Sequence, residues 1–576
     1  HGSCPSLQAN VRRRTVLPMS ITEQRPDFGA LFTPKLLTVL KEGYGGAEFR
    51  RDATAGLTVA IVALPLSLAI AIASGVGPER GLAAAIVGGF LVSALGGSRF
   101  QIGGPAGAFI VLVSATAAEH GVDGMLIATF LAGIMLVAAG LLRLGGYVRL
   151  VPYPVTIGFT AGIAVIIIIS QIKELLGLSL EGAEQGSVLG KLIADIAALD
   201  SANFYAAGVA FSTISVIIVL RRLRPKFPGV LLAVVAAATA VALFDLPTDT
   251  IGTRFGELPR GLPPFAIPVL TVEKAFAVLP DAFAFFLLGA IESLLSATVG
   301  DAMTGRRHRS NCELAAQGVA NMASSLFGGM VVTGAIARTA TNIRAGAHGP
   351  VAGMLHSLFL LVFMIAAAPL AAKAPLAALS GVLVVVAWNM IEQHAILSLF
   401  RSSAEDVVTF AATFFLTVFR DLTEAIAVGT AIAAIAFIRR MSSTFSVGGV
   451  IIREDIADSV GMERSAYRPE DALSGNVAVY RLSGALFFAS ASSLSLALDR
   501  VLAGQNALVL DFSEVSMIDS SGAQTIAGFI RDANNRNVQV AIAGASAGTL
   551  KVLAAGGVTR KVSVYPSLIE AVDKLR

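Results

Sequence analysis

The chain has 576 residues, of which 55% are hydrophobic and only 14% charged, and its mean hydropathy is +0.75. Soluble globular chains carry about 25% charged residues, so an ordinary soluble protein is excluded and an integral membrane protein is indicated. The formal charge of +4, from 43 Lys and Arg against 39 Asp and Glu, is too small to point to nucleic acid, and Cys4 and Cys312 match neither a disulfide framework nor a metal spacing.

Residues 1–48 are mixed polar and read as a cytoplasmic N-terminal segment. Met19 is a candidate start, and no run before Arg50 is long enough for a signal-peptide core. A membrane helix needs about 20 apolar residues. Such runs fall at 53–75, 81–97, 105–118, 124–142, 154–177, 204–221, 229–244, 281–300, 312–328, 335–345, 350–369, 374–391, 404–419 and 422–439, making a transporter-like domain over 49–440. The third and tenth are short. Arg99, Arg143, Arg149, Arg221, Arg222, Arg224, Lys226, Arg306, Arg307, Arg309, Arg344, Arg401, Arg439 and Arg440 fall at the ends of even-numbered runs or in the connections that follow them, whereas opposite loops such as 178–203 and 245–280 mix basic residues with Glu181, Glu184, Asp195, Asp249 and Glu257. Basic short loops stay in the cytoplasm, so both termini are expected there, in a multi-pass protein of the inner (plasma) membrane.

The two halves look related. Pro65 lies in a broken-looking first run and Pro105 opens the short third one, 40 residues on; Glu292 lies in the eighth run and Thr333 precedes the short tenth one, 41 residues on. Seven runs per half is odd, so the second copy enters upside down. The pattern predicts a polytopic α-helical fold of 14 transmembrane segments arranged as a 7+7 inverted repeat, with its site near the midplane.

After Arg440 the composition changes. Residues 441–475 read as a polar linker, and 476–576 as one small α/β domain. Strands are expected at 477–482, 485–488, 507–512 and 538–544, and helices at 490–503, 523–534, 547–555 and 567–576, with the turn IDSSG (518–522) between.

Two stretches carry the chemistry, FQIGGPAGAF (100–109) and GGMVVTGAIARTATNIRAG (328–346). A helix that begins inside the membrane presents unpaired N–H groups and about half a positive charge at that end, and two such ends facing each other make an anion site. Gly103, Gly104, Gly328 and Gly329 would let the chain approach each helix extended. Helix packing alone explains the glycines, but not Arg338, a cation at membrane depth with no acid beside it in sequence. Glu292 is the second intramembrane charge. An acid that alternates between ionised and neutral as its cavity changes sides is what proton coupling requires; the plain alternatives are a fixed ion partner for Arg338 or a hydrogen-bonded protonated Glu. Ser296, one turn on, shares its face and can donate to a ligand or hydrate a cation. The charged turn Asp301–Arg309 reads as a topology signal. No Walker loop, nucleophile elbow or zinc spacing is present, so neither enzymatic bond chemistry nor a metal is expected.

VPYPVTIGFTAGIAVIIIISQ (151–171), the Glu292 run ending in DAMTGRRH (301–308), the segment around Arg338, and LVLDFSEVSMIDSSGAQTI (508–526) together resemble the SulP family of anion transporters with a C-terminal STAS domain. The resemblance covers about residues 40–576. It implies the fold of the uracil/H⁺ symporters, with a core of spans 1–4 and 8–11 moving as an elevator against a gate of spans 5–7 and 12–14, and it implies a homodimer. It also implies substrate contacts at Leu66 and Ile70; at Ala106, Gly107 and Ala108; and at Ala335, Ile336, Ala337 and Arg338. The eighth-span acid is Asp in sodium-coupled bicarbonate relatives and Glu in proton-coupled sulfate relatives, so Glu292, with Ser296 as possible ion partner, leans toward H⁺ over Na⁺ coupling. Several relatives have polar side chains where this chain has Leu66, Ala106 and Ala337, which leaves the anion to Arg338 and backbone N–H groups. Sulfate is the first expectation; bicarbonate and C4-dicarboxylates follow, then an uncoupled exchanger or channel, or a sensor acting through a soluble partner of the STAS domain. Ser520 and Ser521 occupy the turn whose serine is phosphorylated in the soluble antagonist relatives; plain helix capping by Ser is the other reading.

Overall fold

The computed structural model describes residues 28–146, 151–180, 188–224, 228–268, 271–420, 422–443, 445–449, 477–490, 494 and 507–575. The expected helix 490–503 lies outside them except for Ser490 and Leu494, as do Arg12 to Arg14, Arg149, Lys226 and the whole stretch 450–475.

In hydrocarbon every backbone N–H and C=O must find a partner within the protein, and a helix supplies them all locally. Accordingly each of the fourteen apolar runs forms helix. A short helix α1 (Lys35–Lys41) precedes α2 (Gly46–Ala73) and α3 (Pro78–Leu95). The third and fourth runs form α4 (Ile110–Leu141), entered by a 3₁₀ turn at Gly107–Phe109 and broken at Gly121, whose φ of 70° suits glycine. There follow α5 (Tyr153–Ser170), α6 (Phe204–Leu223), α7 (Gly229–Phe244), α8 (Leu279–Thr304), α9 (Ser310–Leu326) and α10 (Ile336–Arg344). The last four are α11 (Val351–Ala371), α12 (Leu376–Met390), α13 (Ala404–Phe419) and α14 (Leu422–Ser443). Among the described residues, nine helices are long and apolar enough to cross a membrane; α7 is shorter, at 16 residues. The first span is not broken as its proline suggested. α2 runs through Pro65, which removes one backbone donor without ending the helix.

The chain divides into two compact units. The first holds residues up to 151, 160–392 and 417–423. In it α9 packs along α4, α11 along α2, and α8 against both α4 and α10, while α6 packs on α7 and α12. The α4–α9 pair meets at Gly133 and Gly318, where a Cβ on either would overlap the other's carbonyl, the close approach that small residues permit between membrane helices.

The second unit holds 152–159, 393–416 and 424–576. Its C-terminal part is a five-stranded sheet in the order β3 (Ser446–Gly449), β4 (Val477–Leu486), β5 (Ala507–Ile518), β6 (Gln539–Ala543) and β7 (Ser563–Tyr565). All neighbours are parallel except β3, an antiparallel edge. β3 lies within the stretch the sequence reads as linker; Ser-Val-Gly-Gly carries no strand signal of its own and is set by pairing with β4. Alternation along β5 sends Leu508, Leu510 and Phe512 to the face covered by α15 (Ser520–Asn535) and α16 (Ala547–Ala555), and Val509 to the face covered by α17 (Leu568–Leu575). Ser442 at the end of α14 donates from Oγ to the Ala489 carbonyl (2.9 Å), tying that helix to the domain.

Candidate functional site

The site is built where the backbone leaves helical geometry. β1 (Gly103–Gly104) pairs antiparallel with β2 (Thr333–Gly334), in the register Gly103↔Gly334 and Gly104↔Thr333. Equivalent segments of the two halves thus cross side by side and antiparallel, as an inverted repeat requires. From the crossing the chain enters one helix at Gly107 and the other at Ile336, with extended Ala106 and Ala335 as caps and, among the described residues, no side-chain cap bond at either end. Their first N–H groups lack intrahelical acceptors, so both positive ends converge on the crossing. The sequence reading placed Gly328 and Gly329 in this role. They instead form the turn after α9, with Gly328 at φ 67°, and Gly334 takes the crossing position, where a Cβ would overlap Gln101.

Extended backbone at this depth must be paired by side chains. Asn321 on α9 takes Val332 in both directions: the Val332 N–H donates to Oδ1 (2.8 Å), and Nδ2 donates to the Val332 carbonyl (2.8 Å). The Ser293 hydroxyl on α8 bonds Thr333 Oγ1 (2.8 Å) and accepts the Gly334 N–H (3.3 Å), while Gln101 Nε2 donates to the Ser293 carbonyl (3.1 Å). The Ile102 N–H donates to Thr339 Oγ1 (3.2 Å) and the Ala335 N–H to the Ile102 carbonyl (2.9 Å).

Arg338, in the first turn of α10, is 3% exposed. Its Nη2 donates to Ser67 Oγ on α2 and to the Pro105 carbonyl, both at 3.2 Å. Nε and Nη1 are buried and have no partner among the described residues. The guanidinium therefore reaches from one half-helix to the backbone that opens the other. It keeps two donor groups free, which for a buried cation is costly unless an anion meets them.

The expected contact residues differ in burial. Ile70 and Ala108 are buried, Leu66, Gly107 and Ala335 half-buried, and Ala106 is 8% exposed. Gly107 faces Ile167 of α5 and Met390 of α12. Ile336 and Ala337 are exposed. Ser67, the residue that holds Arg338, was missed. Its only signal is a hydroxyl beside Pro65 in an apolar span. Glu292 lies next to Ser293; its Oε2 is buried without a partner, and among the described residues it forms no hydrogen bond or ion pair with Arg338. The fixed-pair reading of these two charges is therefore not what the structure contains. Ser296 is fully buried and its hydroxyl meets Thr339 Oγ1 at 3.1 Å, so in this conformation it holds α8 to α10 rather than facing a ligand.

In the α/β domain the cap of α15 is Asp519, not a serine. Oδ1 accepts the Gly522 N–H (2.8 Å) and Oδ2 the Phe488 N–H (3.1 Å). Ser520 is exposed and Ser521 half-buried.

These features define a class, a polytopic helical membrane transporter with a C-terminal STAS domain. Residues 49–413 match the sulfate permease family and 468–571 the STAS domain. The chain is 39% identical over 524 residues to "Putative sulfate transporter YvdB" of Bacillus subtilis, covering 90% of this chain and 96% of that one. It is 31% identical to the bicarbonate transporter BicA of Picosynechococcus sp., covering 88% and 90%. The structure of the murine anion transporter Slc26a9 in its inward-facing state superposes with a TM-score of 0.81 over 94% of this chain and 93% of that one, at 19% identity, a likeness of fold. The chain belongs to the sulfate permease family and is an anion transporter.

Proposed function

We propose that the protein takes up sulfate together with a proton, the anion lying at the β1–β2 crossing and the core of spans 1–4 and 8–11 carrying it past the gate as an elevator. The observation that carries this reading is Arg338: a buried guanidinium at two converging helix N-termini, with Nε and Nη1 unpartnered among the described residues. Arg Nε and Nη donors are spaced to meet two oxygens of one oxyanion. Sulfate is favoured by the YvdB likeness. Glu292, buried at Oε2 and adjoining Ser293 of the crossing, is the group that would carry the proton. The homodimer, the inner-membrane location and a cytoplasmic STAS domain open to a soluble partner belong to the same proposal.

A second reading is sodium-coupled bicarbonate uptake, favoured by the BicA likeness and by the lack of side-chain donors at Leu66, Ala106 and Ala337. C4-dicarboxylate uptake or uncoupled exchange stands behind it. Uptake of labelled sulfate into proteoliposomes, with and without an inward proton gradient, tests the proposal. Wild type accumulates sulfate with the gradient, and Glu292→Gln equilibrates it without accumulation. Gradient-independent uptake equal in both rejects proton coupling through Glu292. Sodium-dependent bicarbonate flux without sulfate flux selects the second reading.

A further inference from the structure

The short helix α1 precedes the family match and is strapped to the ends of two spans. The Lys35 N–H donates to the Gly96 carbonyl (2.9 Å), just past α3, and the Arg309 N–H to the Gly97 carbonyl (2.9 Å), just before α9. Arg309 Nη1 then donates to the Thr33 carbonyl (2.7 Å) and to Thr38 Oγ1 (3.0 Å), on either side of Lys35. Arg99, 5% exposed, bonds Glu42 at the end of α1, and its Nε is buried without a partner among the described residues. Three cations thus lie along α1, Lys35 and Arg309 at its first turn and Arg99 at its end.

Among the described residues the acids nearby bond groups other than Lys35. Glu42 is committed to Arg99, and Asp301 accepts both the His308 N–H (3.0 Å) and His308 Nδ1 (2.6 Å). Glu313 is fully buried and takes the Ser98 N–H (2.9 Å) and Gln317 Nε2 (3.0 Å). No acceptor meets the Lys35 ammonium among the described residues. Burial, then Arg309 and Arg99, hold it below the usual lysine range, against the smaller opposing pull of Asp301 and Glu42. An ammonium beside two guanidinium groups is unfavourable unless an anion of higher charge joins them.

We propose that Lys35, Arg99 and Arg309 form a binding site for a phosphate-bearing anion, either a phospholipid headgroup or soluble phosphate, which clamps α1 to the ends of α3 and α9. The three donors suit a phosphoryl group, which offers several strong acceptor oxygens. The site lies where two spans end, at the level of lipid headgroups. It is separate from the Arg338 crossing and does not depend on which anion is transported.

The test is thermal unfolding of the full chain in nanodiscs. Wild type, Lys35→Gln and Lys35→Arg are compared in phosphatidylcholine alone, in phosphatidylcholine with phosphatidylglycerol, and in phosphatidylcholine with inorganic phosphate in the buffer. The expected result is a crossover. In phosphatidylcholine alone Lys35→Gln unfolds at a higher temperature than wild type, because an uncompensated cation has been removed. Addition of the anion raises wild type and Lys35→Arg by several degrees and leaves Lys35→Gln unmoved. A rise with phosphatidylglycerol only identifies the lipid, and an equal rise with inorganic phosphate identifies a soluble oxyanion. If Lys35→Gln responds as wild type does in all three media, the site is rejected.

Discussion

Arg338 on α10 donates from Nη2 to the carbonyl of Pro105, the residue that leads into the opposite half-helix. Gly104, one position earlier, lies so close that a Cβ there would overlap Arg338 Nη1. The cation and the glycine are one device: the side chain from one repeat fills the space that the other repeat leaves by lacking a side chain.

Gly104→Ala should therefore displace the guanidinium. Its φ of 154°, at the margin of the glycine region, adds strain. The expected outcome is a chain that inserts and elutes as wild type but needs at least about tenfold more anion for half-maximal uptake, a loss of about 1.4 kcal/mol. Uptake kinetics together with size-exclusion chromatography check it.

Ser67→Ala removes one of the two acceptors that aim Arg338. A hydrogen bond to a charged group contributes about 1.5–3 kcal/mol. KM should rise by roughly one to two powers of ten, while Ser67→Thr, which keeps the hydroxyl, stays near wild type.

Asn321→Leu fills similar space but leaves the Val332 N–H and carbonyl without their partner. Each unsatisfied buried backbone group costs about 1–3 kcal/mol. The prediction is a fall of several degrees in the unfolding temperature of the detergent-solubilised chain, with transport reduced because β2 is no longer held. An unchanged melting curve would show that the pairing is dispensable.

Proton coupling through Glu292 has a definite sign. The ionised and neutral forms alternate only while the site exchanges protons, so uptake driven by an inward gradient rises as the outer pH falls. Glu292→Gln is neutral at every pH, and its residual uptake should not vary with outer pH between about 5 and 8, a range far from any titration of an amide. Rates at stepped outer pH with fixed inner pH provide the measurement.

Much of this was legible in the sequence because apolarity marks membrane helices, and the fourteen runs needed no other signal. Arg338 and Glu292 stood out for the same reason, as charges against an apolar background. The residues that pair the crossing did not. Ser67, Ser293, Asn321 and Thr339 are small polar residues of kinds common in membrane helices, and their role appears only when the partner segment is in place. Gly328 and Gly329 attracted attention as a pair, yet single Gly334 sits at the crossing. Position 334 is set by the register with Gly103, and no local pattern announces it. Pro65 suggested a break because its lost donor is visible in sequence, whereas the packing of α11 along α2 is not.

The central claim is that Arg338 and the two half-helix ends form the anion site. Its most direct test is equilibrium binding of labelled sulfate to the purified full chain, comparing wild type, Arg338→Lys and Arg338→Gln. Arg338→Lys keeps the charge but cannot both bond Ser67 and Pro105, as Nη2 does, and present a planar pair of donors, as Nε and Nη1 do, so binding should weaken; Arg338→Gln should abolish it. Saturable binding to Arg338→Gln with the affinity of wild type would contradict the account.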